Sequence, residues 1–222
     1  GVELATGDFI WIAEADDLSE KSFLTAAMRG FEHPNTVLSY TESKQIGTNG
    51  EVLCNNYLKY VKDVSPNKWS MDYMNSGYDE IKTALAIKNT IPNVSAAVFK
   101  KSCFQQVLNK HLDEICNYKV AGDWASYLYL LEKGDLSFSC KPLNKHRRHE
   151  QSVTLGSFDE TQLDEILRVQ QFAREHFEID NRITEKAKSY AEVLYNQFGL
   201  NTSDYPDIEN HPKLSLYFGV ST

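Results

Sequence analysis

Three carboxylates, Glu14, Asp16 and Asp17, stand directly behind the apolar run Phe9 to Ala13 in the stretch GDFIWIAEADDLS. Carboxylates this close repel one another in a partly dry site, so a hard divalent cation paired with substrate phosphates is a natural neutraliser. The same residues suit a plainer role, in which Asp17 or Ser19 caps the next helix while Glu14 and Asp16 are solvated. Spacing alone leaves both open. A fourth carboxylate, Asp123, opens the apolar stretch AGDWASYLYLL. There the helix dipole favours its charged form, and a simple cap explains it equally well. A third feature is KPLNKHRRHEQSVT, residues 141 to 154, which gathers Lys145, His146, Arg147, Arg148 and His149. Arginine forks match phosphate oxygens and a neutral imidazole can complete a metal shell, whereas a solvated basic loop would need neither function.

The elements that must position these groups follow from periodicity. Phe9 to Ala13 shows no alternation, which predicts a strand buried on both faces, as in a parallel sheet covered by helices; such sheets bind ligands just beyond the carboxyl ends of their strands. Ser19 marks a helix start, with Phe23, Leu24, Ala27, Met28 and Phe31 recurring at three and four and an end near His33-Pro34. Thr36 to Thr41 reads as a strand, and the turn Thr48-Asn49-Gly50 leads to Val52-Leu53 as a hairpin. Residues 55 to 77 lack a period and read as a long loop. Helical spacing returns over Tyr78 to Asn89, Pro92 breaks it, and Val94 to Phe99 reads as a strand followed by a helix from Ser102 to about Lys110. Gly134 closes the helix that Asp123 opens, and Leu136 to Cys140 begins another strand. Beyond Asp159, two amphipathic helices joined near Glu178 to Arg182 read as packing elements, and the tail from Asn201 is weakly patterned.

The bulk numbers bound the class. A chain of 222 residues with 41% apolar residues can bury one large core, or one core with an appendage. The net charge of -8 argues against broad binding to nucleic acid or to anionic lipid. Cys54, Cys103, Cys116 and Cys140 form no C-x-x-C pair, so no zinc site or disulfide framework is suggested and reduced thiols in a cytosol fit best. No apolar run approaches the ~20 residues of a membrane span, which leaves a cytoplasmic protein compatible with peripheral association at the inner face of a membrane.

Taken in order, ATGDFIWIAEADD, NGEV, NVSAAVFKK, AGDW and PLNKHRRHEQSVT resemble the bacterial family 2 glycosyltransferases of the GT-A fold, over roughly residues 1 to 154. The resemblance implies an α/β class: a partial GT-A, Rossmann-like mixed sheet flanked by helices over residues 1–155, with a helical extension and tail over 156–222. It implies transfer of a sugar from a nucleotide-sugar donor to a glycan or other hydroxyl acceptor, with inversion, in polysaccharide or other glycan synthesis. By that resemblance Asp16 is the direct ligand of a divalent cation, manganese or magnesium. Glu14 stands where the family usually has Asp, and its longer arm reaches ribose or water more readily; His149 completes the metal shell, and Ser152 caps the loop. Arg147, Arg148 and Asp17 belong to the donor side, with Asp17 also in a capping position. Asp123 is the general base, and Trp124, Asn93 and Ser95 face the acceptor or sugar.

The family also begins with a strand and loop that hold the nucleotide base, and nothing similar precedes Gly1. The expectation is therefore a fragment that is inactive or weakly binding by itself. An alternative from another class is a non-catalytic GT-A-like scaffold or interaction module. A metal-dependent nucleotidyltransferase fits less well, because no Gly-rich phosphate loop is visible. Donor sugar, acceptor, linkage and oligomeric state are not encoded in these motifs.

Overall fold

A computed structural model describes residues 1–148 and 158–218. A seven-stranded mixed sheet runs in the order β1-β6-β3-β7-β2, with β4 on β3 and β5 on β7. Its centre is the parallel pair β3 (Thr36–Ile46) and β7 (Asp135–Arg147). The other pairings are antiparallel: β1 (Phe9–Trp11) on β6 (Ala97–Lys100), β6 on β3, β2 (Leu18–Ser19) on β7, β4 (Val52–Cys54) on β3 and β5 (Tyr73–Asn75) on β7. Helix α1 (Phe23–Arg29) covers one face, where Phe23 and Ala27 pack with Val98. The opposite face carries the main core. There Leu38, Phe99, Leu136 and Phe138 meet Tyr127 and Leu128 of α5 (Gly122–Leu131), and α4 (Lys101–Cys116) packs alongside. The fold is thus the expected mixed α/β sheet flanked by helices.

Helices α6 (Glu160–His176) and α7 (Asn181–Gln197) form the C-terminal extension. Asp159 opens α6 with a reciprocal capping box to Gln162, and Asp180 caps α7. Their facing residues Leu163, Leu167, Ala191 and Tyr195 make a separate small core with Ile208 and Leu214. The buried amide of Gln170 donates to Ile87 O at 2.7 Å and to Ala187 O at 3.0 Å, which ties both helices to the sheet-side body.

Several elements differ from what periodicity predicts. The strand β1 is antiparallel and shorter than the run Phe9 to Ala13, and only its middle residue Ile10 is buried. Its lack of alternation has another source. Phe9 lies against Phe31, just past α1, and Trp11 against Phe23 at its start, at centroid distances of 4.5 and 5.1 Å, so aromatic contacts cover part of two side chains that otherwise stay exposed. Residues 18 and 19 pair with β7 instead of starting a helix, and α1 begins only at Phe23 with Ser22 before it. The supposed long loop holds α2 (Leu58–Val61), a 3-10 turn at Lys68–Ser70 and β5. Side chains organise that segment: Trp69 Nε1 donates to Tyr40 Oη at 2.8 Å, and buried Glu80 accepts from Lys68, Tyr73 and Asn75. The helix predicted over Tyr78 to Asn89 is α3 (Gly77–Glu80) followed by a π turn at Ile81–Leu85.

Gly77 lets α3 approach the end of α5. A Cβ there would stand 1.9 Å from Leu131 O and 2.2 Å from Gly134 O, both backbone atoms that cannot swing aside. Gly77→Ala is expected to cost at least about 2–3 kcal/mol, read as a fall in the urea midpoint.

The first part of the segment expected to be a basic loop, residues 141 to 147, is strand. Residues 142 to 147 continue β7, paired with Glu42 to Ile46, so the sheet fixes Lys145, His146 and Arg147, while Arg148 follows the strand. His149 and Ser152 lie outside the described residues.

Candidate functional site

The acidic loop leaves the end of β1 and is held from three sides. Trp11 Nε1 donates to Ser95 O at 2.9 Å, and Glu14 N donates to Ser95 Oγ at 2.9 Å. Ser95 is itself fixed by Asn93, whose Oδ1 accepts from Ser95 N at 2.8 Å, and by Asn144, whose Nδ2 donates to Ser95 O at 3.1 Å. Asn93 Nδ2 donates to Asn144 Oδ1 at 2.6 Å and closes the network. All three of these side chains are buried. Asn93 and Ser95 were expected to face acceptor or sugar; here their polar groups set the height of the acidic loop, although Asn93 still lines the small cleft below. Asn144 is the centre of this network and carries no sequence signal beyond its polarity in a strand.

Arg147 closes the loop from the other side. Its backbone N donates to Asp17 Oδ1 at 2.8 Å and its Nε to Asp16 O at 2.8 Å. Its Nη1 reaches Gly47 O at 2.7 Å and Thr48 O at 3.0 Å in the turn between β3 and β4. The guanidinium expected on a phosphate makes backbone bonds that hold the acidic loop. The capping position expected of Asp17 is corrected: it does not cap α1, because β2 intervenes and its carboxylate takes the Arg147 amide. Arg147→Met is expected to cost about 1–3 kcal/mol, with Arg147→Lys recovering little because one ammonium cannot span three carbonyls. Thermal unfolding of the three proteins checks this.

The electrostatics of the loop invite a cation. Partial burial raises the Glu14 pKa, and the charges of Asp17, Asp16 and Asp123 raise it further, in that order. Asp17 Oδ2 is buried with no hydrogen-bond partner among the described residues. Still, no three His, Cys, Asp or Glu side chains converge as a complete metal shell among the described residues. Among the described residues the donor set therefore fits a cation that takes one or two carboxylates and draws its remaining ligands from elsewhere.

Asp123 sits in the first turn of α5. Its Oδ1 accepts from Trp124 N at 2.6 Å and its Oδ2 from Asn89 Nδ2 at 3.2 Å. Burial nevertheless dominates and pushes its pKa from 3.8 to about 6, against the opposing pull of those bonds. The approach to α5 is held by Glu165 of α6, a buried carboxylate that accepts from three successive amides: Lys119 N at 2.8 and 2.9 Å, Val120 N at 2.8 Å and Ala121 N at 3.2 Å. One turn after Asp123, the buried Tyr127 hydroxyl has no partner among the described residues. Trp124 is almost wholly buried, with Nε1 donating to Leu85 O at 3.0 Å.

Two clefts open beside these groups. The smaller, about 380 Å³, is lined by Glu14, Asn93, Val94, Tyr118 and Asp123 among others. The larger, about 980 Å³, lies between the sheet-side body and α7, and its walls include Asp123, Trp124, Arg148, Tyr60, Tyr190 and Phe198. Pro92, Val120 and Asp123 border both, and only Asp123 of these is ionisable. The structure therefore unites Glu14 with Asp123 on one side, and Asp123 with Trp124 and Arg148 on the other. The extension, expected only to pack, supplies a cleft wall that includes the exposed Val193 with Leu194 and Phe198.

No family model matches the sequence, and no curated protein matches it. Among solved structures, the chain is similar to the crystal structure of S. aureus TarS 1-349 in complex with UDP-GlcNAc, with a TM-score of 0.50 and 12% identity. The match covers 88% of this chain and 51% of that one, so the chain spans about half the length of that structure. At this identity the likeness is one of fold, a glycosyltransferase-like arrangement of sheet and helices.

Proposed function

We propose that this chain carries the catalytic-base side of an inverting, family 2 type glycosyltransferase that moves a sugar from a nucleotide sugar to an acceptor hydroxyl in glycan synthesis. The observation that carries the reading is Asp123, a carboxylate with a pKa of about 6 in the wall shared by an acidic cleft and a larger cleft. The likeness in fold to a structure holding UDP-GlcNAc supports the choice of a nucleotide-sugar donor.

In this reading Asp123 takes the proton from the acceptor hydroxyl as that oxygen bonds to the anomeric carbon. The bond from that carbon to the diphosphate breaks, and the nucleoside diphosphate leaves with the electron pair and its added charge. A pKa near 6 leaves Asp123 ionised at neutral pH yet basic enough to share the proton in the transition state. Asn89 and the Trp124 amide aim the carboxylate. Asp16, with Glu14 beside it and His149 as a further ligand, would hold a manganese or magnesium ion, which supplies charge neutralisation at the leaving diphosphate. Arg147 and Asn144 keep the acidic loop in place.

The test is release of nucleoside diphosphate from a panel of UDP-, GDP- and dTDP-sugars with manganese, coupled to saturation-transfer NMR of UDP to detect weak binding. Manganese-dependent UDP binding and turnover are expected, with Asp16→Asn lowering both by at least about tenfold. Binding that is indifferent to manganese and to Asp16→Asn would overturn the metal assignment, and absence of any donor binding would favour a non-catalytic module.

A further inference from the structure

The large cleft has a chemistry of its own. One wall comes from the sheet-side body, with Tyr60, Trp124 and Asn89; the other comes from α7, with Tyr190, Val193 and Gln197. Its two lysines are already engaged. Lys88 Nζ, nearly fully buried, lies 2.8 and 2.9 Å from the Asp63 carboxylate oxygens and stands over the rings of Tyr60 and Tyr190 at 4.3 and 4.8 Å. Lys186 of α7 donates to Val64 O at 2.9 Å and to Asp63 O at 3.2 Å. Against the basic Lys88, Lys186, Arg148 and Arg182 stand the acidic Asp63, Glu185 and Asp123, so the lining is close to balanced.

A polyanionic ligand needs a clear surplus of positive charge, and four basic against three acidic residues do not supply one. Aromatic faces instead attract the polarised C–H faces of pyranose rings, and a planar amide such as that of Gln197 pairs with neighbouring hydroxyls. A volume of about 980 Å³ accommodates more than one ring. We propose that this cleft is the acceptor subsite, that it takes an uncharged saccharide of at least two rings, and that α7 sets its specificity. This rests on the glycosyl-transfer reading, in which the hydroxyl presented to Asp123 comes from this side and the donor from the acidic side.

The experiment is saturation-transfer NMR on the whole chain with three neutral disaccharides, cellobiose, chitobiose and lactose, and with glycerol 3-phosphate as the anionic probe. Val193→Arg, at an exposed position on the cleft wall, adds a long charged side chain without disturbing the core. Saturation of ring protons is expected for at least one disaccharide and weaker transfer to glycerol 3-phosphate, with the disaccharide signal falling at least fivefold in Val193→Arg. A disaccharide signal unmoved by Val193→Arg, stronger binding of glycerol 3-phosphate, or no transfer to any of the three disaccharides would overturn the proposal. UDP with manganese in the same samples separates the two levels. UDP binding without saccharide binding removes only the acceptor assignment, whereas loss of both removes the glycosyl-transfer reading beneath it.

Discussion

Asp123→Asn is expected to slow glycosyl transfer by about 10²- to 10⁴-fold while making the folded chain more stable at neutral pH. Asn keeps the shape and an oxygen that can accept from Trp124 N, but it cannot take a proton at neutral pH. The sign of the stability change follows from the shift. The folded-state pKa of about 6 lies above the ordinary 3.8, so the folded chain binds this proton more tightly than the unfolded chain does. The stability contributed by that proton is fully present below about pH 4 and is lost as pH rises through about 6. Removing the charge should therefore return about 1–3 kcal/mol above pH 7 and almost nothing at pH 4. The same group sets the rate profile: kcat/KM of the unaltered chain should fall about tenfold per pH unit below about 6, and the residual rate of Asp123→Asn should lack that limb. Initial rates from pH 5 to 8.5 and urea unfolding at pH 4.5 and 7.5 check both halves. A helix cap with no catalytic role would give the opposite pattern, little change in rate and a loss of stability.

Glu165→Ala is the complementary case and should lower both quantities. It removes the acceptor of three consecutive amides just before α5, leaving buried donors unsatisfied and a small void on α6. The expected cost is about 3–5 kcal/mol, or a fall in Tm of about 10 °C for a chain of this length. Glu165→Gln retains one carbonyl oxygen and should lose about half as much. Because those amides lead directly into Gly122 and Asp123, kcat should fall while donor affinity on the acidic side holds. A Glu165→Ala protein with unchanged Tm and kcat would show that the extension does not hold the base.

What could be read from sequence divides along contact range. Asp123 at a helix start, the hairpin around Gly50, the two C-terminal helices and the acidic residues behind an apolar strand are local patterns, and local periodicity and caps suffice for them. The errors are non-local. Phe9 and Trp11 read as doubly buried, but they rest against Phe31 and Phe23 and stay partly exposed, which tertiary packing decides and the run itself does not. The bonds by which Arg147 holds the acidic loop could not be read either, because its partners Gly47 and Asp16 lie a hundred or more residues away. Glu165 and Asn144 are polar residues whose burial only the assembled fold reveals, and no spacing announces a carboxylate that caps another helix's entry. The large cleft is legible only in the placement of α7, since its lining joins residues of the sheet-side body, from Gln45 onward, to residues of the C-terminal helices.

The most direct test of a donor site that meets an acceptor cleft at Asp123 is manganese-induced NMR line broadening of the backbone amides, recorded with and without UDP. The result expected is UDP-dependent broadening strongest at residues 14–17, weaker at Thr48 and at 122–124, and slight along α7 at 189–197. Broadening that ignores UDP, or that centres on α7 and leaves Glu14 and Asp16 sharp, would contradict it.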